Sequence, residues 1–198
     1  MGRTSDARPK ILKAGRELLA RRGYSALGVA EICTAAGVPK GSFYYFFDSK
    51  QALAEAVIEE HWIDQRAQWT ALLGSDKAPL ERLRDLYDAT TELQRTAQKE
   101  TGAVTGCLFG NLALELSARD EEIQRRLQEI FDEQITLVAE VLDQAQRAGA
   151  IATTDTREAA RSLVAQLEGS VLFAKLRNDP GQLDQLWSHT AALLGAKA

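Results

Sequence analysis

An all-α fold is predicted by three observations. Apolar residues recur at helical spacing along nearly the whole chain. The period-two alternation of a half-buried strand is absent. Gly and Pro fall between the periodic runs rather than inside them. The 198 residues divide into roughly nine helices, enough for one large domain or a small one joined to a medium one.

The first helix is expected over about Asp6 to Arg22. Ile11, Leu12, Leu18 and Leu19 form its apolar face, and Gly23 stops it. A short second helix spans about Gly28 to Ala36, with Val29, Ile32 and Cys33 inward, and Gly37 breaks the chain. A third lies within about Pro39 to Phe47. A long fourth begins near Asp48 or Ser49 and runs to Leu73, and Asp48 with Gln51 has the spacing of a capping box.

Pro79 suits the first turn of a helix reaching about Lys99. KETGAVTG reads as a loop, followed by a helix from about Cys107 to Ser117. The next spans about Asp120 to Ala148, with Ser117 as its expected cap. The last two cover about Thr156 to Arg177 and about Gln182 to Leu194, separated by NDPG.

Composition excludes several classes. At 45 % hydrophobic and 26 % charged the chain reads as soluble and globular, and no window approaches a transmembrane span. MGRTSDARPK has no apolar core and does not read as a secretory signal, so a cytoplasmic protein is expected. Two cysteines, Cys33 and Cys107, make no disulfide framework. His61 and His189 are isolated, so neither a metal nor a cofactor is expected. No Ser/His/Asp set, glycine-rich phosphate loop or paired carboxylates tied to a pocket suggests an enzyme.

Charge is unevenly placed. Net charge is −4, yet residues 1–50 carry nine basic residues against four acidic ones, leaving the remainder strongly acidic. A basic end on an acidic body suits nucleic-acid binding, although a merely solubilising helix face gives the same count.

Within that basic end lies AGVPKGSFYYFFDSK, with five consecutive aromatics from Phe43 to Phe47. Successive helical residues turn by about 100°, so the five cannot share one face. Phe43, Phe46 and Phe47, at spacings of three and four, suit the inner side. Lys40, Ser42, Tyr44 and Tyr45 are left outside. The second helix, a short turn at Gly37 and the third helix have the size of a DNA-reading helix-turn-helix. Gly37 tolerates positive φ, and Ala35 and Ala36 let the helices approach. Lys40 suits a phosphate or a guanine edge, while Ser42 and the tyrosine hydroxyls can donate to phosphate. Gly41 lets backbone come close, and Lys50 sits where free N–H groups of the fourth helix attract phosphate. Either tyrosine alone could equally be a partly buried structural residue.

The stretch GYSALGVAEICTAAGVPKGSFYYFFDSKQAL, residues 23–53, resembles the N-terminal domain of the tetracycline-repressor (TetR) family of bacterial transcription regulators. The resemblance implies a TetR-like arrangement. Residues 1–50 would be a three-helix helix-turn-helix head, and residues 51–198 a helical body that binds ligand and dimerises. It places Lys40, Gly41, Ser42, Tyr44, Tyr45 and Lys50 on operator-contacting positions. There are departures. Leu27 and Gly28 stand where Thr or Ser usually begins the second helix, Phe46 replaces a common His or Tyr, and Pro39 a common Ser. VPKGSFY and GCLFGNLALEL resemble a subgroup that responds to small electrophiles or short unsaturated acids, and Lys175 matches a lysine of that subgroup.

The expected function is therefore a dimeric, ligand-responsive DNA-binding regulator, in the repressor sense commonest in the family. Its partners would be a pseudo-palindromic operator, a small-molecule effector and a second copy of the chain, with no membrane. Tyr87, Phe109, Leu112, Phe131 and Phe173 are candidate ligand-lining residues, although each taken singly reads better as ordinary core. Cys107, expected at a helix N-terminus that favours thiolate, is a candidate electrophile or oxidant sensor, with Lys175 adding positive charge; the other reading is a small buried hydrophobe. The apolar stripe from Leu163 to Leu194 needs a partner, and the family uses this helix pair as a dimer bundle. The competing function is a non-enzymatic helical adaptor whose basic head binds an acidic protein.

Overall fold

A computed structural model describes residues 6–196. Nine α-helices and no strand occur among the described residues: α1 Ala7–Arg22, α2 Val29–Ala36, α3 Lys40–Phe46, α4 Lys50–Leu73, α5 Pro79–Thr101, α6 Leu108–Leu116, α7 Glu121–Arg147, α8 Thr156–Arg177 and α9 Leu186–Leu194. The helices follow the sequence reading closely. They make two compact units, one of residues up to 64 with 108–126, the other of 65–107 with residues from 127 onward.

Two cap residues and one helix start differ from expectation, each for a hydrogen-bonding reason. Ser49, not Asp48, caps α4: its Oγ accepts from the Ala52 N–H at 3.0 Å. Asp120, not Ser117, caps α7, accepting from the Glu122 and Ile123 N–H groups. The last helix begins late because Asp179 accepts from the Gly181 N–H and closes a 3-10 turn over Pro180–Leu183 first. A charged or hydroxyl oxygen at the right offset decides among neighbouring candidates.

In the first unit α1, α2 and α3 pack on one another, and α1 also meets α6. Ile11, Ile32 and Phe43 are wholly buried, with Leu19 and Leu53 nearly so, which closes a core under the three short helices. Phe109 and Leu112 of α6 are also wholly buried, and the Phe109 ring lies 5.1 Å from His61 and 6.1 Å from Trp62 of α4. Arg16 pairs with Asp64 at 2.8 Å, but both side chains are substantially exposed, so this contact adds at most about 1 kcal/mol. Apolar burial holds the unit together.

The second unit is built around one apolar cluster that includes Trp69, Leu83, Tyr87, Leu142, Leu163 and Leu186. Arg82 is buried inside it without a carboxylate. Its guanidinium donates to the Leu73 carbonyl at 2.8 Å and to Gln144 Oε1 at 2.6 Å, and so serves orphan acceptors at the end of α4. Gln94 is also buried, and its amide exchanges two hydrogen bonds with the backbone of Gly106. That brace fixes the loop leading to Cys107.

Candidate functional site

Gly37 adopts the left-handed conformation, φ 65°, that lets α2 stop and α3 begin after three residues. The Val38 N–H donates back to the Cys33 carbonyl at 3.0 Å and closes the turn. Cys33 lies beneath it, buried, and burial raises its thiol above the ordinary value. Neither α2 nor α3 has a side-chain cap, because Gly28 and Pro39 stand at the cap positions.

Helical phase sorts the aromatics within α3 only in part: the inner side expected for Phe46 is not fully reached, and Phe47 is buried from an extended residue just past the helix. Phe43 is wholly buried and Phe47 is 4 % exposed; Tyr44 is 50 % and Tyr45 74 % exposed. Phe46 is half-buried, and its ring meets that of Tyr45 edge-on at 4.8 Å. Lys40 and Gly41 are exposed and Ser42 partly so. The outer side of α3 thus presents an ammonium, bare backbone and two phenols, all donors suited to phosphate oxygens and base edges.

Lys50 is differently placed. Its Nζ donates to the Tyr24 and Leu27 carbonyls at 2.9 and 2.8 Å and lies 3.9 Å from the centre of the Tyr24 ring. Partial burial pushes the ammonium below its ordinary value, opposed by the Glu115 carboxylate. Lys50 therefore secures the turn before α2, and an unengaged surface lysine is not what the structure shows.

The same turn is held from its other side. Glu115, in the last turn of α6, accepts from the Tyr24 N–H at 3.0 Å and from the Ser25 N–H at 2.8 Å. Burial raises its carboxyl, but the Ser25 and Tyr24 donors with Arg119 outweigh that and hold it below the ordinary value. Sequence reasoning missed this residue. The signal was available: Glu115 is the sole charged side chain between Cys107 and Leu116.

The expected ligand-lining residues do not come together in one unit. Phe109 and Leu112 are core of the first unit, whereas Tyr87 is buried in the second and Phe131 packs at the edge of its core. Tyr87 lies near Thr190 and Trp187, and burial raises its phenol. Phe173 does not line the interior. It is 54 % exposed and lies with Leu172, Leu176 and Leu193 among the apolar side chains left in solvent. An open groove of about 470 Å³ on the second unit is lined by Arg66, Glu129, Asp132, Glu133, Thr136, Leu137 and Glu140, none of them an expected ligand contact.

Cys107 is partly buried and directly precedes α6. Its thiol hydrogen-bonds to Glu168 of α8, whose carboxyl is raised by burial and lowered in part by that bond. Glu168 was also missed, although it is the sole charged residue between Arg161 and Lys175. Lys175 lies seven residues further along α8, two turns on, and is partly buried.

Comparison with known proteins agrees with this arrangement. Residues 11–57 match the family described as bacterial regulatory proteins, tetR family, and residues 79–190 match the tetracyclin repressor-like C-terminal domain. The chain is 32 % identical to the HTH-type transcriptional repressor DhaR of Mycobacterium sp. strain GP1, over 93 % of this chain and 90 % of that one. It is 34 % identical to the transcriptional regulator AcuR of Cereibacter sphaeroides, over 89 % and 80 %. The crystal structure of E. coli NemR in its reduced form superposes with a TM-score of 0.84 at 27 % identity, covering 98 % and 99 %. A buried phenylalanine seat under α3, an outward face of donors, and these matches across both halves lead to one conclusion: the chain belongs to the tetR family of DNA-binding transcriptional regulators.

Proposed function

We propose that the protein is a cytoplasmic homodimeric repressor that reads a pseudo-palindromic operator with α3 and releases it on a small-molecule or thiol signal. The observation that carries the reading is the phase of α3. Phe43 is buried while Lys40, Tyr44 and Tyr45 face out. Lys40 and the tyrosines, with Gly41 and Ser42, contact bases and phosphates, and Lys50 supports them from the start of α4. Two of the matched relatives, DhaR and NemR, are described as repressors.

The test is binding to an operator selected by the wild-type protein from random duplexes. Lys40→Ala should change sequence preference. Lys50→Ala should weaken all duplexes and lower the salt slope by about one if its ammonium turns to phosphate on DNA. An unchanged slope with a lowered thermal midpoint would confine Lys50 to holding the turn.

Dimerisation is assigned to the apolar side chains exposed on α8 and α9. Leu172, Phe173, Leu176 and Leu193 are each more than half exposed, an arrangement suited to a self-complementary two-fold interface. Phe173→Asp should move the protein toward monomer in sedimentation velocity at micromolar concentration. A variant as dimeric as wild type would remove Phe173 from the interface.

For the signal, Cys107 is the preferred group. Alkylation or oxidation removes the hydrogen bond to Glu168 and adds bulk beside a carboxyl that is raised by burial. Tyr87, Phe131 and Lys175 of the same unit complete the proposed effector-responsive set. The solved relative in its reduced form fits a thiol-based signal. N-ethylmaleimide should release operator from wild type and leave Cys107→Ser bound. Equal release from both would assign the response elsewhere.

A further inference from the structure

The turn between α1 and α2 is shaped around one carboxylate. Glu115 spends one oxygen on the Tyr24 N–H and the other on the Ser25 N–H. A side chain at Gly23 is excluded by the same group, because a Cβ there would lie 2.0 Å from Glu115 Oε1. Gly23 also has φ 76°, a conformation that favours glycine. Three successive residues, Gly23, Tyr24 and Ser25, thus conform to Glu115.

Lys50 holds the opposite side of this turn by the Tyr24 and Leu27 carbonyls. Residue 24 therefore has its N–H on an anion and its C=O on a cation. Hydrogen bonds to charged groups are about twice as strong as neutral ones, and bonds in series polarise each other. Downstream, the turn passes through Leu27, which is 4 % exposed, into Gly28 and the first turn of α2. Helix α2 is tied to α3 by the Gly37 turn and by direct packing of the two helices. A second link from α6 is weaker: Asn111 Nδ2 donates to the Ala20 carbonyl of α1 at 3.4 Å.

We propose that Glu115 is the positioning residue through which α6 sets the helix-turn-helix for its operator, by gripping the α1–α2 turn at the Tyr24 and Ser25 amides against Lys50. With the carboxylate in place, α2 enters at one angle and α3 presents Lys40, Tyr44 and Tyr45 in one register. With the carboxylate withdrawn, the two amides lose their acceptor and the turn relaxes. DNA binding then persists through charge alone, without register.

The test uses the full-length chain, an operator duplex selected by the wild type from random sequence, and a scrambled duplex of equal length. Measurements are made at a temperature where circular dichroism shows each variant folded. Glu115→Ala should lose about ten-fold or more in operator affinity, about 1.4 kcal/mol, while affinity for the scrambled duplex and its salt slope stay at wild-type values. Glu115→Gln, whose single carbonyl oxygen serves one amide well, should fall between. Amide exchange at Tyr24 and Ser25 should accelerate in Glu115→Ala. An unchanged ratio of operator to scrambled affinity would overturn the proposal, whether or not exchange accelerates, since Glu115 would then be structural only. Unchanged protection at Tyr24 and Ser25 would overturn it as well. Should Glu115→Ala fail to fold, Glu115→Gln carries the same two readouts. Gly23→Ala, which displaces the carboxylate from the turn side, should lower the same ratio.

Discussion

Replacing Phe43 with alanine should cost about 3–5 kcal/mol and abolish specific DNA binding. The ring is wholly buried and lies 5.8 Å from the Phe47 ring, where α1, α2 and α3 converge. Truncation leaves a cavity in the core that these helices share with Ile11 and Ile32. Helix α3 has seven residues and no side-chain cap, so it depends on this packing rather than on propensity. Tyr45→Ala makes the control. At 74 % exposure its loss should change stability by less than about 0.5 kcal/mol while still weakening DNA. Urea titration followed by helical dichroism measures both. A Phe43→Ala midpoint within error of Tyr45→Ala would show that the head has another centre.

The second large effect is expected from pH. His61 is pushed down to about 4, first by burial and then by Arg16, against a smaller opposing influence of Asp64. Its Nδ1 is buried without a hydrogen-bond partner, and its ring lies against Phe109. The folded state therefore binds the proton less readily than the unfolded state, whose histidine titrates near pH 6.5. Stability contributed by neutral His61 is complete above that pH and is lost as pH falls toward 4. By pH 4.5 the loss should reach roughly 2–3 kcal/mol. His61→Phe fills the same space without a titrating ring, so its denaturation midpoint should fall less between pH 7.5 and 4.5. Parallel pH profiles for the two proteins would refute the assignment.

Much of this was legible in the sequence for a definite reason. The inward Phe43 and outward Tyr44 and Tyr45 follow from helical phase, which is local, and the stops at Gly23 and Gly37 from glycine's tolerance of positive φ; the burial of Phe47 depends on where α3 ends. Which of Asp48 or Ser49 caps α4 was not legible, because adjacent oxygens compete for the same amides, and Ser117 lost to Asp120 because it still continues the end of α6. Lys50 reads as a surface cation until the turn at Tyr24 folds over it and supplies two carbonyls. Phe173 reads as core by its hydrophobicity alone, yet hydrophobicity does not tell a protein interior from a surface that awaits a partner. Glu115 and Glu168 were missed because both act on partners more than 60 residues away in sequence. The clue to each was a lone charge in an otherwise uncharged stretch.

That α6 belongs to the same compact unit as α1, α2 and α3 bears on how such regulators can be recombined. A chimera joined just after residue 50 would receive a head whose Tyr24 and Ser25 amides meet whatever side chain the new body carries in place of Glu115. An apolar residue there would leave both donors unserved, and an amide could serve one of them. A body with the acid but a head lacking glycine at position 23 would bring the two into collision. A body grafted onto this head would therefore need an acceptor in the place of Glu115, and the compact unit that carries the helix-turn-helix is discontinuous: residues up to 64 together with 108–126.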